Sequence, residues 1–270
     1  MKKIIDGLSV FLEGQESAQP ILFVHGFPYD HSMWKAQTEE FSKEYFCVSY
    51  DIRGLGESPA GDGQLTMESF VDDLETIIDD LKLKKPVLCG LSMGGYISLR
   101  ALERMPGKFS AAILCDTRAE ADNNEGKLKR AAAIKRINAE GLAAYARDFM
   151  VTCFSDHFKT KEQDRLRKII DHSSRFDPLG VKGSLVAMLS RTDTTAALEK
   201  IDIPILLTFG EQDALTPPAG MRAVFQKIKH AQFVEIKGAG HMSPVENPGE
   251  VNRSIHDFLD SLRGRQEKEI

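Results

Sequence analysis

The chain has 270 residues, 42% hydrophobic and 28% charged, with a formal net charge of -5 and a sequence pI near 5.9. That length holds one sizeable core, or a core with a small appended domain, and the composition excludes a disordered or fibrous chain. The acidic balance argues against a nucleic-acid or anionic-membrane partner, because no basic excess exists to displace counterions. The opening Met1-Lys2-Lys3-Ile4-Ile5-Asp6-Gly7 has the charge of a signal peptide but no apolar stretch after it. No run reaches the length of a membrane-spanning helix, so a cytoplasmic protein is expected. Cys47, Cys89, Cys115 and Cys153 lack metal-ligand spacing and read as buried free thiols.

Residues Ile4 to Glu13 alternate apolar and polar and predict one antiparallel edge strand. Pro20 to Val24 is an unbroken apolar run, as an interior parallel strand requires, and it leads into His25-Gly26-Phe27-Pro28. Trp34 opens a short helix to Phe41 and reads as a packing anchor near a pocket. Phe46 to Tyr50 predicts the next strand. It ends in Asp51-Ile52-Arg53-Gly54-Leu55-Gly56-Glu57-Ser58, where Asp51 and Arg53 read as a structural ion pair and the glycines lack phosphate-binding spacing. From Thr66, a plausible cap, a helix is predicted with Phe70, Leu74, Ile77, Ile78 and Leu81 on its apolar face. Asp72, Asp73, Glu75, Asp79 and Asp80 form its solvated side.

Lys85 to Arg104 is the stretch around which the rest is arranged. Pro86-Val87-Leu88-Cys89 predicts a buried strand, and Tyr96, Leu99 and Leu102 recur at helical spacing. Between them Gly90-Leu91-Ser92-Met93-Gly94 fits the nucleophile-elbow pattern, in which a strained turn lifts the serine hydroxyl clear of the backbone. A Cβ at either glycine would collide in so tight a turn. The helix start behind Ser92 offers unpaired N–H groups to a developing negative charge. Ala111 to Cys115 predicts another buried strand, closed by Asp116. Between about Asn123 and Arg191 the strand signal disappears and four helical stretches follow: Gly126 to Asn138, Glu140 to Met150, Lys161 to Ser173 and Pro178 to Leu189. Ile203 to Phe209 predicts a return to the sheet, with Gly210-Glu211-Gln212-Asp213-Ala214-Leu215-Thr216-Pro217 at its end. After a helix over Ala219 to Lys229, a last strand Gln232 to Ile236 leads to Gly238-Ala239-Gly240-His241. A closing helix from Pro248 to Leu262 and a charged, frayed tail end the chain.

Ser92 in its elbow, the early His25-Gly26 pair and the later acid and histidine, in the order Ser, Asp, His, resemble the α/β-hydrolase superfamily. Within it the chain is similar to the small cofactor-free esterases and lactonases related to 3-oxoadipate enol-lactonase. The resemblance spans nearly the whole chain and is weakest in the middle. It implies a mostly parallel central sheet flanked by helices: a core over residues 1–118 and 196–270, with a helical lid over residues 119–195. It assigns a catalytic triad of Ser92, Asp213 and His241, with Asp213 in a G-x-x-D-x-x-x-P loop. Asp116 is the rival acid, since some members draw the acid from that position, and Glu211 is a further carboxylate at a variable one. The backbone N–H groups of Phe27 and Met93 are implied as the oxyanion hole, with His25 bracing the loop. Serine at the apex disfavours the dehalogenase and epoxide-hydrolase relatives, which carry aspartate there.

Chemically, serine needs a neighbouring base that titrates near working pH, and His241 with Asp213 behind it fits that need. The expected reaction is hydrolysis of a small-molecule carboxylic ester or lactone, with no metal and no organic cofactor. Carbon–carbon bond hydrolysis, perhydrolysis and a non-catalytic ligand sensor are the alternatives. Phe27, Trp34, Phe149, Phe154 and Met188 are the pocket candidates; those in the lid could equally pack its own core. His157 and His172 read as surface residues.

Overall fold

The computed structural model describes residues 1–266; the charged tail expected to fray runs on into residues outside that range. Eight strands form one sheet in the order β1-β2-β4-β3-β5-β6-β7-β8. They are β1 (Lys2–Ile5), β2 (Leu8–Glu13), β3 (Pro20–Val24), β4 (Phe46–Tyr50), β5 (Val87–Leu91), β6 (Ala111–Cys115), β7 (Ile205–Gly210) and β8 (Ala231–Ile236). The β1–β2 and β2–β4 pairs are antiparallel, and all pairs from β4 to β8 are parallel.

The single edge strand expected over Ile4 to Glu13 is in fact a hairpin. Asp6 and Gly7 both take positive φ, 47° and 80°, and pair Ile5 with Leu8. An Asp-Gly pair between two extended runs is the sequence signal for that two-residue turn.

Every residue of β3, β4, β5, β6 and β7 is buried, because helices cover both faces. Strand alternation sends Leu22 and Val24 into one apolar layer and Ile21 and Phe23 into the other. The first layer holds α2 (Met67–Asp80) and α3 (Met93–Arg104); the second holds α1 (Lys35–Phe41) and α11 (Pro248–Gln266). Thr66 caps α2, its hydroxyl accepting the Ser69 N–H at 3.0 Å while Ser69 returns the bond to the Thr66 N–H. Asp73 departs from the solvated face expected of it. It is 4% exposed and holds Arg53 in an ion pair. Asp51 and Arg53 do not pair with each other: Arg53 ties the turn to α2 and to Asp6, while Asp51 binds His31 at 2.6 Å.

Between β6 and β7 the chain leaves the sheet for five helices: α4 (Asn124–Glu140), α5 (Leu142–Thr152), α6 (Asp156–Lys161), α7 (Gln163–Ser173) and α8 (Pro178–Leu189). The sequence pattern gives four; α6 is the addition, started by Ser155, whose hydroxyl accepts the Phe158 N–H at 3.2 Å. Beyond β7 lie α9 (Pro218–Phe225) and α10 (Ser243–Glu246). All four cysteines are buried and unpaired. No helix among the described residues is long and apolar enough to cross a membrane.

Candidate active site

The parallel strands end side by side, so the loops after β3, β5, β6, β7 and β8 gather along one edge of the sheet, where ligands bind in this architecture. Ser92 stands between β5 and α3 with φ 53° and ψ -112°, a conformation a non-glycine residue holds only when its surroundings impose it. The imposition is visible. A Cβ on Gly90 would strike Ser98 and the Gly94 backbone, and one on Gly94 would strike the Val24 and His25 carbonyls. The Ser92 N–H is tied to the Cys115 carbonyl at 3.0 Å and its carbonyl accepts the Thr117 hydroxyl at 2.8 Å.

The structure brings together Ser92, His241 and Asp213. His241 Nε2 lies 2.8 Å from Ser92 Oγ, and its Nδ1 lies 2.9 Å from Asp213 Oδ2. The Asp213 side chain is fixed by its own loop: Oδ1 accepts the Leu215 and Thr216 N–H groups at 2.8 and 2.9 Å, and Oδ2 also accepts the Thr216 hydroxyl. Burial works to raise the Asp213 pKa, but the charge of His241 and the bonds from His241 and Thr216 outweigh it. The carboxyl is held below its ordinary range and stays ionised. The His241 loop is anchored to the insertion, with the His241 N–H bound to Cys153 O at 2.9 Å. Glu246 accepts the Gly240 and Ser155 N–H groups, both at 2.9 Å.

The Phe27 loop lies directly against the elbow, since a Cβ on Gly26 would fall 2.6 Å from Leu91 Cδ2 and 3.5 Å from Ser92 Cβ. The Phe27 N–H has no acceptor among the described residues, and Met93, as the first residue of α3, has no helical carbonyl one turn behind it. His25 is fully buried, and burial lowers its pKa. Its Nε2 accepts the Ile52 N–H at 2.9 Å and its Nδ1 meets Gly26 O at 2.9 Å, which fixes a neutral tautomer and ties two loops together.

A cavity of about 540 Å³ opens above Ser92 and His241. Phe27, Tyr145, Phe149, Leu185 and Met188 make its apolar wall; Arg118, Asp122, Glu125, Lys129 and Arg130 make its polar one. The Phe27 and Phe149 rings meet edge to face at 5.6 Å, and Tyr145 stacks on Phe149 at 5.5 Å. Two pocket candidates are elsewhere. Trp34 is wholly buried in the layer beneath β3, 5.3 Å from the Phe23 ring, and Phe154 is buried in a stack with Phe158 at 4.6 Å. Both rings are used as core, where a large apolar surface is worth most. Tyr145 was detectable from sequence, one helical turn before Phe149 on the same face, whereas nothing in the local pattern marks Arg118 or Leu185. His157 is exposed, but His172 is not a bare surface residue, for its Nε2 contacts Asp30 Oδ2 at 2.5 Å.

Of the rival acids, Glu211 is exposed and binds the Gly238 N–H at 2.9 Å, and Asp116 makes no bond to His241 among the described residues. Asp30, His31 and Asp51 offer three possible ligand atoms within 4.8 Å of one another. Those atoms are already engaged: Asp51 with His31 and the Glu57 N–H, Asp30 with His172 and Ser32. The cluster serves as loop bracing.

Residues 19–248 match the family model described as the alpha/beta hydrolase fold. Among solved structures, a malate-bound thermophilic esterase from Thermogutta terrifontis is 34% identical with a TM-score of 0.90, over 97% of this chain and 98% of that one. The enol-lactonase from Burkholderia xenovorans is 27% identical with a TM-score of 0.88, over 96% and 100% of the two chains. Among curated relatives, 3-oxoadipate enol-lactonase 1 of Acinetobacter baylyi is 29% identical over 256 residues, 95% of this chain and 94% of the relative. With the family model covering most of its length and the strand order, elbow and carboxyl-edge loops described above, the chain belongs to the α/β-hydrolase fold family.

Proposed function

We propose that this protein hydrolyses a small carboxylic ester or lactone through an acyl-Ser92 intermediate. The observation that carries the reading is the unbroken hydrogen-bond chain from Ser92 Oγ through His241 to Asp213 at the floor of a ligand-sized cavity. The esterase and enol-lactonase relatives support the substrate class.

In this reading His241 Nε2 takes the hydroxyl proton as Ser92 Oγ attacks the carbonyl carbon, and ionised Asp213 stabilises the imidazolium. The Phe27 and Met93 amides receive the oxyanion, each worth on the order of 3 kcal/mol in comparable sites. Collapse breaks the carbon–oxygen bond, and His241 returns its proton to the leaving oxygen; in a lactone that oxygen stays tethered to the acyl group. Water, deprotonated by His241, then attacks the acyl carbon and frees Ser92 together with the acid. The apolar wall suits a short acyl or alcohol chain. Arg118, which donates to Leu215 O and has no carboxylate partner among the described residues, offers spare donors to a polar or anionic group on the substrate.

A panel of p-nitrophenyl esters of increasing acyl length, five- and six-membered lactones with and without a free carboxylate, dienol diketones, and peroxide-dependent halogenation tests this reading. Turnover of esters or lactones, abolished in Ser92→Ala, supports it. Turnover confined to diketones or peroxide refutes the ester assignment, and binding without turnover across the panel turns the reading to a ligand sensor.

A further inference from the structure

Asp116 is a buried ionisable group that the mechanism above does not use. It follows β6 with φ 45° and is 0% exposed. Its Oδ1 accepts the N–H of Gly210, the last residue of β7, at 2.7 Å, and its Oδ2 meets the Ser243 hydroxyl at 2.5 Å. Gly210 lies three residues before Asp213, and Ser243 lies two residues after His241. One carboxyl group therefore spans the two loops that deliver the acid and the base. The Asp116 N–H adds a bond to Thr208 O on β7 at 2.9 Å, so the strut is rooted in the sheet. No cation lies within salt-bridge reach of it among the described residues, so ion pairing does not explain why a carboxyl group is buried here.

We propose that Asp116 is a positioning residue that clamps the Gly210–Asp213 loop to the His241–Ser243 loop, and so holds Asp213 and His241 in register with Ser92. The inference rests on the triad reading but assigns Asp116 a role distinct from that of a reserve acid. Burial, and then the adjacent Asp213 charge, push its carboxyl well above the ordinary range, in keeping with a neutral group that works by hydrogen bonding. A neutral carboxyl at this spot can serve both partners, since the Ser243 hydroxyl can rotate to accept as well as donate. An amide has the same shape and can bind the same two partners. Alanine can bind neither, and a displacement of about 1 Å between reacting groups can cost on the order of a hundredfold in rate.

The test compares wild type with Asp116→Asn, Asp116→Ala and Ser243→Ala. The readouts are kcat and KM on p-nitrophenyl acetate, normalised to the sites a fluorophosphonate can titrate, and the rate of that labelling. The low-field proton resonance of the His241 Nδ1–H reports the bond to Asp213 directly. Expected are a fall in kcat of about 10- to 100-fold for Asp116→Ala with KM moving less than about twofold, a smaller fall for Ser243→Ala, and a loss of no more than about threefold for Asp116→Asn. The low-field resonance should broaden or vanish in the alanine variant and persist in the asparagine one. A purely structural role would lower yield and melting temperature but leave kcat per titrated site unchanged, and that outcome overturns the proposal. So does an Asp116→Asn variant as damaged as Asp213→Asn, because the charge rather than the clamp would then matter. If Asp116→Ala does not fold, Ser243→Ala decides, with unchanged kcat and labelling rate counting against the clamp. Wild-type protein that the fluorophosphonate leaves unmodified would instead refute the triad reading on which the clamp depends.

Discussion

The central strands of the sheet and α4, the first helix of the insertion between β6 and β7, differ in how much of their surface is buried; α5 and α8 of the same insertion put apolar faces into the core the strands share. The five central strands are buried at every residue, whereas α4 buries one residue, Ile137, in 17. Ala133 and Ile134 pack half-buried beside Ile137 against the core, and polar contacts add to them: Arg130 on Asp122, Arg136 on Asp148 at 2.5 Å, and Lys182 on Asn138 at 2.8 Å. Asp122 is also gripped by Arg191 at 2.8 Å, which joins the two ends of the insertion. Separating apolar layers costs far more than exchanging a solvent-accessible pair such as Arg136–Asp148 for water. On the reading proposed above, the buried strands would hold the triad still, while α4, little buried, is the part of the wall that gives most easily.

The sharpest way to break this comparison is to remove the chemistry and keep the frame. Ser92→Ala should lower esterase activity by at least about 10⁴-fold with an unchanged melting curve, and Asp213→Asn should lose about as much, because it deprives His241 of its orienting charge. Activity assays paired with calorimetry check both. Next in size, the frame should be costly to damage. Phe23→Ala, at a site 0% exposed, should destabilise by about 3–5 kcal/mol in a denaturant titration, while Leu128→Ala on α4, 71% exposed, should stay within about 0.5 kcal/mol. Equal effects would erase the distinction between the two regions. The insertion should instead control selectivity. Phe149→Ala, which opens the apolar wall beside Phe27, should shift the ratio of kcat/KM between long and short acyl esters by about tenfold toward the longer chain.

The smallest effect concerns the seam between the regions. His172 on α7 reaches Asp30, three residues beyond Phe27. The bond to Asp30 raises the His172 pKa above its ordinary 6.5 against the pull of burial. Burial works to raise Asp30, yet the bonds from His172 and Ser32 bring it from 3.8 to about 2. The folded state thus favours protonated His172 beside ionised Asp30. This contribution is complete between pH 3.8 and 6.5, fades as pH rises through the raised His172 value, and fades again as pH falls toward 2. The His172 side chain is 43% exposed, so solvent screening limits the pair to about 1 kcal/mol or less, roughly 2–4 °C in melting temperature. Melting wild type against His172→Ala should give the larger difference at about pH 5.5 and a smaller one at about pH 9. A difference independent of pH would remove the ion pair from the seam.

How much of this could be read beforehand follows the same division. Apolar runs such as Pro20 to Val24 and Ala111 to Cys115 mark buried strands because burial on both faces leaves no polar position. Ser92, Asp213 and His241 are legible because their loops need particular small residues at fixed spacing: Gly90 and Gly94 have no room for a Cβ. The insertion's helices also show in the sequence, but which side chains face the cavity does not. Trp34 and Phe154 are large apolar residues of the kind a pocket uses and serve as core; residue type alone does not tell a ligand-facing ring from a packing one. Contacts between distant segments were equally hidden, among them Arg53 with Asp73 and His172 with Asp30. The Asp6-Gly7 hairpin is a different case: the turn signal is in the sequence, but the alternation on either side of it reads as one continuous strand.

The most direct measurement is intact-mass and peptide analysis of the protein after exposure to a fluorophosphonate, alongside His241→Ala. A single adduct on Ser92, formed at least about a hundredfold more slowly in the variant, is the expected result. No adduct, an adduct on another residue, or equal rates in the two proteins would contradict the claim that His241 activates Ser92.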